Sequence, residues 1–197
     1  MTFLLGLTGS IGMGKSTTAT LFAKKGCAIW DADSTVHKAY SVGGLAVPQI
    51  SKLFPEAISS GAVDRKKLKE ILSEKPKLLS ELEDIIHPLV KQDRDSFIAT
   101  NTSRILVFDI PLLFELGSQI DFDAVACVST SQNLQESRVL SRPGMTKRHL
   151  EIITSRQLPS TDKCARSDYV IDTTSMESAE ICVKDVVSDI EKRIINA

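Results

Sequence analysis

One glycine-rich segment near the start of the chain constrains the possible folds more than any other feature. The apolar run at residues 3–8 leads directly into GSIGMGKS, which spans residues 9–16. The run predicts a strand, and the residues after the glycines predict a helix at about residues 15–25. The segment has the spacing G-x4-G-K-[ST], with Gly9, Gly14, Lys15 and Ser16 at its fixed positions. A strand, such a loop and a helix in this order are typical of α/β proteins.

The residue types in this loop suit the chemistry of a nucleoside triphosphate. Glycines leave room for the backbone to wrap phosphate oxygens, and a helix N-terminus offers unpaired N–H groups at the positive end of its dipole. The Lys15 ammonium can reach the β- and γ-phosphates, and the Ser16 hydroxyl can ligate Mg²⁺. We therefore predict that the loop binds a nucleoside triphosphate with Mg²⁺, although many functions share this feature.

Further apolar runs predict the remaining strands. Residues 105–109 read ILVFD and residues 124–129 read AVACVS, and weaker candidates lie at residues 27–30 and 169–171. Runs without polar alternation are typical of a parallel sheet that is covered on both faces. Helical patterns lie between most of these runs, so the arrangement indicates repeated βαβ units in an α/β fold.

Residues 35–101 interrupt this alternation because they carry only helical signals. Asp64 is placed to cap a helix that runs through LKEIL. Pro76 and Pro88 are predicted to start two more helices, since proline suits the first turn. We interpret the block as a helical insertion at the C-terminal edge of the sheet, within a single domain.

Composition and charge exclude several classes of protein. The net charge of -1 gives no overall positive field that would attract nucleic acid or an anionic membrane. No apolar run approaches the roughly 18 residues that a membrane-spanning helix needs. The four cysteines are widely spaced without a CxxC pair, so we expect reduced thiols in a cytoplasmic protein.

Two classes of nucleotide protein remain open at this point. One is a small-molecule kinase, and the other is a switch, motor or regulatory ATPase that hydrolyses the triphosphate. The sequence has no guanine-reading N-K-x-D, and DIPLLFE follows the strand where a GTPase would carry D-x-x-G. A kinase also needs an acid beside the acceptor and mobile arginines around the transferred phosphoryl group.

Three carboxylates are candidates for that chemistry. Asp31 and Asp33 follow the second strand, so they should lie at the sheet edge where ligands bind in open α/β sheets. Asp33 is the candidate that takes the hydroxyl proton of the acceptor, and the alternative is a cap of a helix starting near Ser34. Asp109 ends the ILVFD strand, where it could hold a Mg²⁺-bound water or the Ser16 hydroxyl, or could serve a purely structural role.

A basic segment supplies candidate arginines. Between Leu134 and Arg166 there are seven Lys/Arg against three acids, and Arg142-Pro143-Gly144 breaks the helical pattern. Such a segment suits a lid that closes over phosphates, whereas the common alternative is a solvated helix face. Arg138 and Arg142 are four residues apart, which would place both on one face of a helix.

Taken together, the motifs resemble the dephospho-CoA kinase family over nearly the whole chain. GLTGSIGMGKS is followed in order by DAD at residues 31–33, GAVDRKKL at 61–68 and LEDIIHPLV at 82–90. VFDIPLLFELG at 107–117, QESRVLSR at 135–142, Gln157 and CARSDYVID complete the series. The glycine loop is common to P-loop proteins, but the combination of DAD, LExIxHP and DxPLLFE is much more specific.

The resemblance implies a P-loop kinase fold with a five-stranded parallel sheet flanked by helices. It also implies a core of about residues 1–34, 102–133 and 165–197, a helical substrate-binding insertion at about 35–101, and a lid at about 134–164. The implied reaction moves the γ-phosphoryl group of ATP to the ribose 3′-hydroxyl of dephospho-CoA. A nucleoside or nucleotide kinase with another acceptor is the alternative within kinases. We expect a cytoplasmic monomer that binds these small molecules and Mg²⁺, but neither nucleic acid nor membrane.

Individual site residues follow from the resemblance. Asp33 matches the proposed catalytic base, and Arg142 matches the lid arginine that acts with Lys15 on the phosphates. Asp31, Arg65 and His87 match the acceptor-binding positions, and His87 could instead be a structural histidine. The implied ATP-binding residues are Gly9, Gly12, Met13, Gly14, Lys15, Ser16, Thr17, Arg138 and Arg142, with Ser16 and Asp109 at the metal.

Three positions depart from the family pattern. Ser10 and Met13 replace a Gly and a Ser that many members carry in the loop. Ser10 is tolerable if its φ stays negative, and Met13 is expected to point its side chain outward. Thr173 stands where many members have Asn, which leaves the adenine contact and the strictness for ATP open.

Overall fold

The computed structural model describes residues 2–196, and this part of the chain divides into two compact units. Residues 31–101 form one of them, here called the helical unit, and the predicted insertion lies within it. The stretches on either side, up to residue 30 and from residue 102, form the sheet unit. Within the described residues, no helix combines the length and the apolar character needed to cross a membrane.

Strands and helices alternate through most of the chain. The strands are β1 (Phe3–Thr8), β2 (Ala28–Asp31), β3 (Ile58–Ser59), β4 (Ala62–Val63), β5 (Ile105–Asp109), β6 (Ala124–Ser129) and β7 (Tyr169–Asp172). The α-helices are α1 (Lys15–Lys24), α2 (Ala32–Tyr40), α3 (Val47–Leu53), α4 (Arg65–Glu74), α5 (Leu79–Thr100), α6 (Gln132–Leu140), α7 (Lys147–Thr154), α8 (Ser160–Ala165) and α9 (Met176–Asn196). Short 3₁₀ helices lie at Pro55–Ala57, Pro76–Leu78 and Ser118–Asp121.

The sheet unit is built on a five-stranded sheet with the order β2-β5-β1-β6-β7. β1 pairs in parallel with β5 and β6, and β6 pairs in parallel with β7. The predicted five-stranded parallel sheet is therefore confirmed. The bounds of β1, β5 and β6 agree with the prediction, whereas β2 and β7 each extend to an aspartate beyond the predicted strand.

Both faces of this sheet are covered, as the apolar strands predicted. Leu5, Leu7 and Val107 are fully buried in a core that also takes in apolar residues of α1 and α9. On the opposite face, the Phe108 ring lies 5.2 Å from that of Phe122, measured between centroids. Burial of these side chains is the main source of stability in such a sheet. This packed core therefore supports the carboxyl ends of the strands, where the phosphate loop begins.

The helical unit has its own core, which includes Ile50, Phe54 and Leu68. β3 and β4 form a two-stranded antiparallel ribbon within it. The predicted cap of α4 is confirmed, because an Asp64 carboxylate oxygen accepts from the Lys66 and Lys67 backbone N–H groups at 3.0 and 3.2 Å.

The predicted helix start at Pro88 is wrong. Pro88 lies inside α5, a helix of 22 residues. A proline there removes one backbone hydrogen bond and leaves the carbonyl of Asp84 without its N–H partner. Asp84 and Pro88 are both exposed, so water can satisfy that carbonyl and the helix continues. Pro76 does start a helix, although it is the 3₁₀ turn Pro76–Leu78.

Candidate active site

The phosphate loop, residues 9–16, connects the buried end of β1 to the start of α1. Gly12 and Gly14 have φ angles of 78° and 90°, which an L side chain rarely adopts. A Cβ at Gly12 would meet Val139 at 2.5 Å, and one at Gly14 would meet Thr173 at 3.1 Å. Gly14 caps α1 without a side-chain hydrogen bond. The first N–H groups of α1 thus remain open to an anion, as the sequence predicted.

The expectation that Met13 points outward is wrong. Its side chain is only 4% exposed and belongs to the core of the sheet unit. Met13 N–H donates to the Ser10 carbonyl at 3.1 Å, which closes a turn between the two flanking glycines. The turn directs the Met13 side chain into the core, so Met13 contributes only its backbone to the surface of the loop. Ser10 meets its condition, since it is not among the residues with positive φ.

Lys15 and Asp109 form an ion pair in which the Lys15 ammonium contacts Asp109 Oδ1. Their side chains are 16% and 3% exposed, so the pair is largely shielded from water. Asp109 ends β5, directly beside β1, and therefore holds the lysine close to the phosphate loop. This ion pair gives Asp109 a structural role at the position predicted for the metal.

A cavity of about 260 Å³ opens beside the loop. Five of the predicted nucleotide-binding residues line it, namely Gly12, Gly14, Thr17, Arg138 and Arg142. Thr173, Ser175 and Met176 also line it, where β7 leads into α9. The structure thus brings the phosphate loop and both predicted arginines to one cavity.

The two arginines reach this cavity in different ways. α6 ends at Leu140, so the predicted helical face does not extend to Arg142, which follows the cap residue Ser141. Arg142 is exposed, whereas Arg138 is half-buried. The Arg138 guanidinium donates from Nη2 to the Thr173 carbonyl at 2.7 Å. Arg138 is therefore held by the protein, whereas the Arg142 side chain is exposed to solvent.

Thr173 packs against the backbone of the phosphate loop. It is 4% exposed, and its hydroxyl lies 2.7 Å from the Met13 carbonyl oxygen and 3.1 Å from that of Ser129. Since Gly14 packs on the same side chain, Thr173 braces the loop backbone at two adjacent residues. Sequence reasoning treated this position only as a contact to the adenine, and it missed the brace.

Lys163 does not belong with the cations of the predicted lid. It is fully buried, and its ammonium lies 2.8 Å from Glu115 Oε1 and 3.0 Å from the Pro111 carbonyl oxygen. The same Glu115 oxygen accepts from the Leu158 N–H at 2.8 Å. Burial raises the pKa of Glu115, but these hydrogen bonds outweigh it and hold the pKa below its ordinary value. Lys163 therefore fastens the PLLFE segment instead of meeting phosphates.

In the helical unit, Asp31 rather than Asp33 caps α2. Asp31 Oδ1 accepts from the Ser34 N–H at 2.7 Å. Asp33 lies in the first turn of α2 and is exposed. The helix begins at Ala32, two residues before the predicted start at Ser34, and for this reason the cap falls on the earlier aspartate. The Asp33 carboxylate is thus left available for another role.

The other predicted acceptor residues lie on separate helices of this unit. Arg65 is the first residue of α4, and His87 lies in the middle of α5. Both side chains are exposed. Burial raises the pKa of Tyr40, and the nearby positive charge of Arg65 acts against that rise. Within the helical unit, which is fully described, no hydrogen bond joins Asp33, Arg65 and His87.

Comparison with known proteins gives a consistent result. A family model described as dephospho-CoA kinase matches residues 3–178. A dephospho-CoA kinase of Ruegeria pomeroyi is 51% identical over 197 residues, which cover all of both chains. Among solved structures, a protein of Thermus thermophilus is 27% identical with a TM-score of 0.85, covering 95% of this chain and 97% of its own. A dephospho-CoA kinase of Campylobacter jejuni has a TM-score of 0.72 at 23% identity, covering 98% of each chain, and shows the shared fold.

Proposed function

Because the chain belongs to the dephospho-CoA kinase family, we propose that it transfers the γ-phosphoryl group of ATP to the ribose 3′-hydroxyl of dephospho-CoA. The products are coenzyme A and ADP, and this is the final step of coenzyme A synthesis. The observation that carries the proposal is the family match, which extends from β1 into α9. It covers the phosphate loop, the helical unit and the basic segment in one chain.

In this proposal, ATP lies along the cavity beside the phosphate loop. The backbone of Gly9 and of residues 12–17 surrounds the β- and γ-phosphates, and Lys15 adds a positive charge next to them. The shielded ion pair of Lys15 with Asp109 supports this role, because it holds the lysine at the loop before any substrate arrives. Preorganised charges of this kind stabilise a transition state without further reorganisation.

The acceptor is handled by residues of the helical unit. Asp33 takes the proton of the 3′-hydroxyl as its oxygen attacks the γ-phosphorus, and the bond to the β-phosphate oxygen breaks. Its exposure and its freedom from the capping role of Asp31 support this assignment. Asp31, Arg65 and His87 complete the proposed acceptor contacts, with Arg65 suited to the phosphates of dephospho-CoA.

The basic segment at about residues 134–164 is proposed as a lid over the nucleotide. Arg142 is its active cation, and it neutralises charge that spreads over the phosphoryl oxygens during transfer. Its exposure, and its position just after the end of α6, support a side chain that can move onto the phosphates. Arg138, held by the Thr173 carbonyl, contributes a more static positive charge.

The residues at the loop also fit Mg²⁺. The described residues hold no group of three or more His, Cys, Asp or Glu that could bind an ion by themselves. Mg²⁺ in kinases usually takes one or two protein oxygens and completes its shell with phosphate and water. The exposed hydroxyl of Ser16 would hold the ion, with Asp109 at one of its waters. Bound there, Mg²⁺ would neutralise charge on the phosphates.

We infer the setting from the same features. The near-neutral chain acts as a monomer in the cytoplasm, on small-molecule substrates and without nucleic acid or membrane. All four cysteines are free thiols and none forms a disulfide, which supports a reducing compartment.

An acceptor panel tests the proposed reaction. Purified protein is incubated with ATP and Mg²⁺, and with dephospho-CoA, a nucleoside monophosphate or no acceptor. We expect coenzyme A to form, with a new 3′-phosphate seen by ³¹P NMR, and no product from an analogue that lacks the 3′-hydroxyl. Transfer to the nucleoside monophosphate alone, or hydrolysis without an acceptor, would contradict the proposal. Chelation of Mg²⁺ should abolish transfer, and added Mg²⁺ should restore it.

A further inference from the structure

Two glutamine side chains bind the two backbone polar groups of one residue in the phosphate loop, Ile11. Gln157 Oε1 accepts from the Ile11 N–H at 3.2 Å. Gln135 Nε2 donates to the Ile11 carbonyl at 2.8 Å. The backbone groups dictate which atom of each amide faces the loop, since an N–H needs an acceptor and a carbonyl needs a donor. Gln135, Ile11 and Gln157 are called the glutamine clamp below.

The clamp joins the phosphate loop to two positions within the basic segment. Gln135 lies on α6 and is 9% exposed, and Gln157 follows the end of α7. Arg142 lies between them in sequence and lines the cavity together with Gly12. Two residues of the segment, one before and one after Arg142 in sequence, are thereby attached to the same residue of the loop. Displacement of Ile11 would move the loop and the basic segment relative to each other.

Packing at the next residue reinforces the clamp. A Cβ on Gly12 would meet the Val139 side chain at 2.5 Å and the Gln135 carbonyl oxygen at 3.1 Å. α6 therefore packs directly on the loop backbone at Gly12, beside the hydrogen bond that Gln135 makes to Ile11. Such close contact leaves the loop little freedom where it turns into the positive φ of Gly12.

The hydrogen bonds also decide which loop groups remain for phosphate. The Ile11 N–H is occupied by Gln157, so it is not one of the free donors that face an anion. Donors that are held at the correct place before the substrate binds stabilise the transition state most effectively. A residue that keeps the loop in this form therefore supports ATP binding without touching the nucleotide.

From these contacts we propose that Gln135 and Gln157 are positioning residues for phosphoryl transfer. Together they hold the backbone N–H and the carbonyl of Ile11, and through that residue they fix the phosphate loop relative to the basic segment. The proposal rests on the proposed function only in that the chain binds ATP. Neither glutamine contacts the reacting atoms, and their effect is on how well the loop is formed.

The chemistry of the clamp allows one substitution to act in opposite ways at its two ends. A glutamate at position 157 still offers an acceptor to the Ile11 N–H. A glutamate at position 135 places an acceptor against the Ile11 carbonyl, so that bond is lost. Gln135→Glu and Gln157→Glu each add one negative charge beside the same residue, Ile11. A simple charge effect on ATP would therefore appear in both variants.

We expect Gln135→Glu to raise the ATP KM and the ATP Kd about tenfold, the scale of one lost buried hydrogen bond. Gln157→Glu should keep both constants within about threefold, whereas Gln157→Met, which removes the strong acceptor, should behave like Gln135→Glu. The KM for dephospho-CoA should change less than about twofold in all three, because the acceptor contacts are untouched. Gln132→Glu, an exposed charge change at the start of α6, is the matched control with wild-type constants.

Exchange of the Ile11 amide hydrogen, followed by NMR in nucleotide-free protein, reports the clamp directly. It should be slow in the wild type and in Gln157→Glu and much faster in Gln157→Met. Equal ATP constants for the two glutamate variants would overturn the proposal, as would fast Ile11 exchange in the wild type. Titration with ATP needs no acceptor, so a wild type that binds ATP but leaves dephospho-CoA unmodified would refute the proposed function alone.

Discussion

The sheet unit and the helical unit hold their candidate functional residues in different ways. In the sheet unit, Lys15 is paired with Asp109, and Arg138 is bound to the Thr173 carbonyl. In the helical unit, Asp33 and His87 are exposed side chains on the surfaces of helices. Protein contacts thus hold the proposed phosphate-binding residues in place, whereas the proposed acceptor-binding residues are exposed to solvent. Changes to the paired functional residues of the sheet unit should cost both stability and activity, whereas changes to the exposed candidate residues of the helical unit should cost activity alone.

Lys15→Ala should have the largest effect because it removes both roles of this lysine. We expect kcat to fall about 10²–10³-fold, the loss typical of one preorganised charge or donor. Asp109 would also be left nearly buried without its cation, which typically costs about 3–5 kcal/mol of the free energy of unfolding. Steady-state kinetics and denaturant unfolding measure the two effects. Lys24→Ala, an exposed lysine at the other end of α1, is the control, and equal stability of both variants would contradict the account.

Lys163→Met tests a buried ion pair of the sheet unit that contains no residue of the phosphate loop. Glu115 would lose its cation, and we expect the free energy of unfolding to fall by about 3 kcal/mol near neutral pH. The pKa of Glu115 in the folded protein is below its ordinary value of 4.5, so the ion pair stabilises the fold fully above that pH. Its contribution is lost as the pH falls through the folded pKa. The deficit of the variant should therefore shrink in acid, and a deficit that grows there would refute the role of the pair.

Sequence predictions succeeded where the local pattern of residues decides the structure, and they failed where the folded surroundings decide it. The bounds of β5 and β6 could be predicted to the residue because each strand begins and ends where its apolar run does. Pro88 was misjudged because its cost depends on whether the freed carbonyl reaches water, which spacing does not show. Met13 was misjudged because the turn between two glycines decides the direction of its side chain.

The support of the site was the part that sequence reasoning could not reach. Gln135 begins the QESRVLSR motif, but nothing in that motif shows that its side chain binds a backbone carbonyl 124 residues away. Lys163 was counted among the cations of the predicted lid because composition counts charges and does not reveal burial. The motif predicts which residues contact the phosphates, but the residues that hold those in place could be identified only from the fold.

Asp64→Ala should have the smallest effect of the stability changes, and it isolates the helical unit. Loss of the cap removes hydrogen bonds to two N–H groups of α4 and typically costs about 1 kcal/mol. Hydrogen exchange followed by mass spectrometry should become faster in peptides of residues 65–74 and remain unchanged around the phosphate loop. Asp64→Asn, which keeps a capping oxygen, is the matched control. Faster exchange in the phosphate loop would show that the two units do not behave separately.

Asp33→Asn measures most directly whether binding of ATP and activation of the acceptor are divided in this way. The amide keeps the shape of the side chain but accepts a proton poorly, so we expect kcat to fall about 10²–10³-fold. The melting temperature should stay at the wild-type value, and Asp84→Asn, another exposed aspartate of the helical unit, is the control. Titration calorimetry with ATP and Mg²⁺ should give a Kd within about twofold of the wild type, as expected when only the acceptor step is impaired. Full kcat in Asp33→Asn, or a large loss of ATP affinity, would contradict the account.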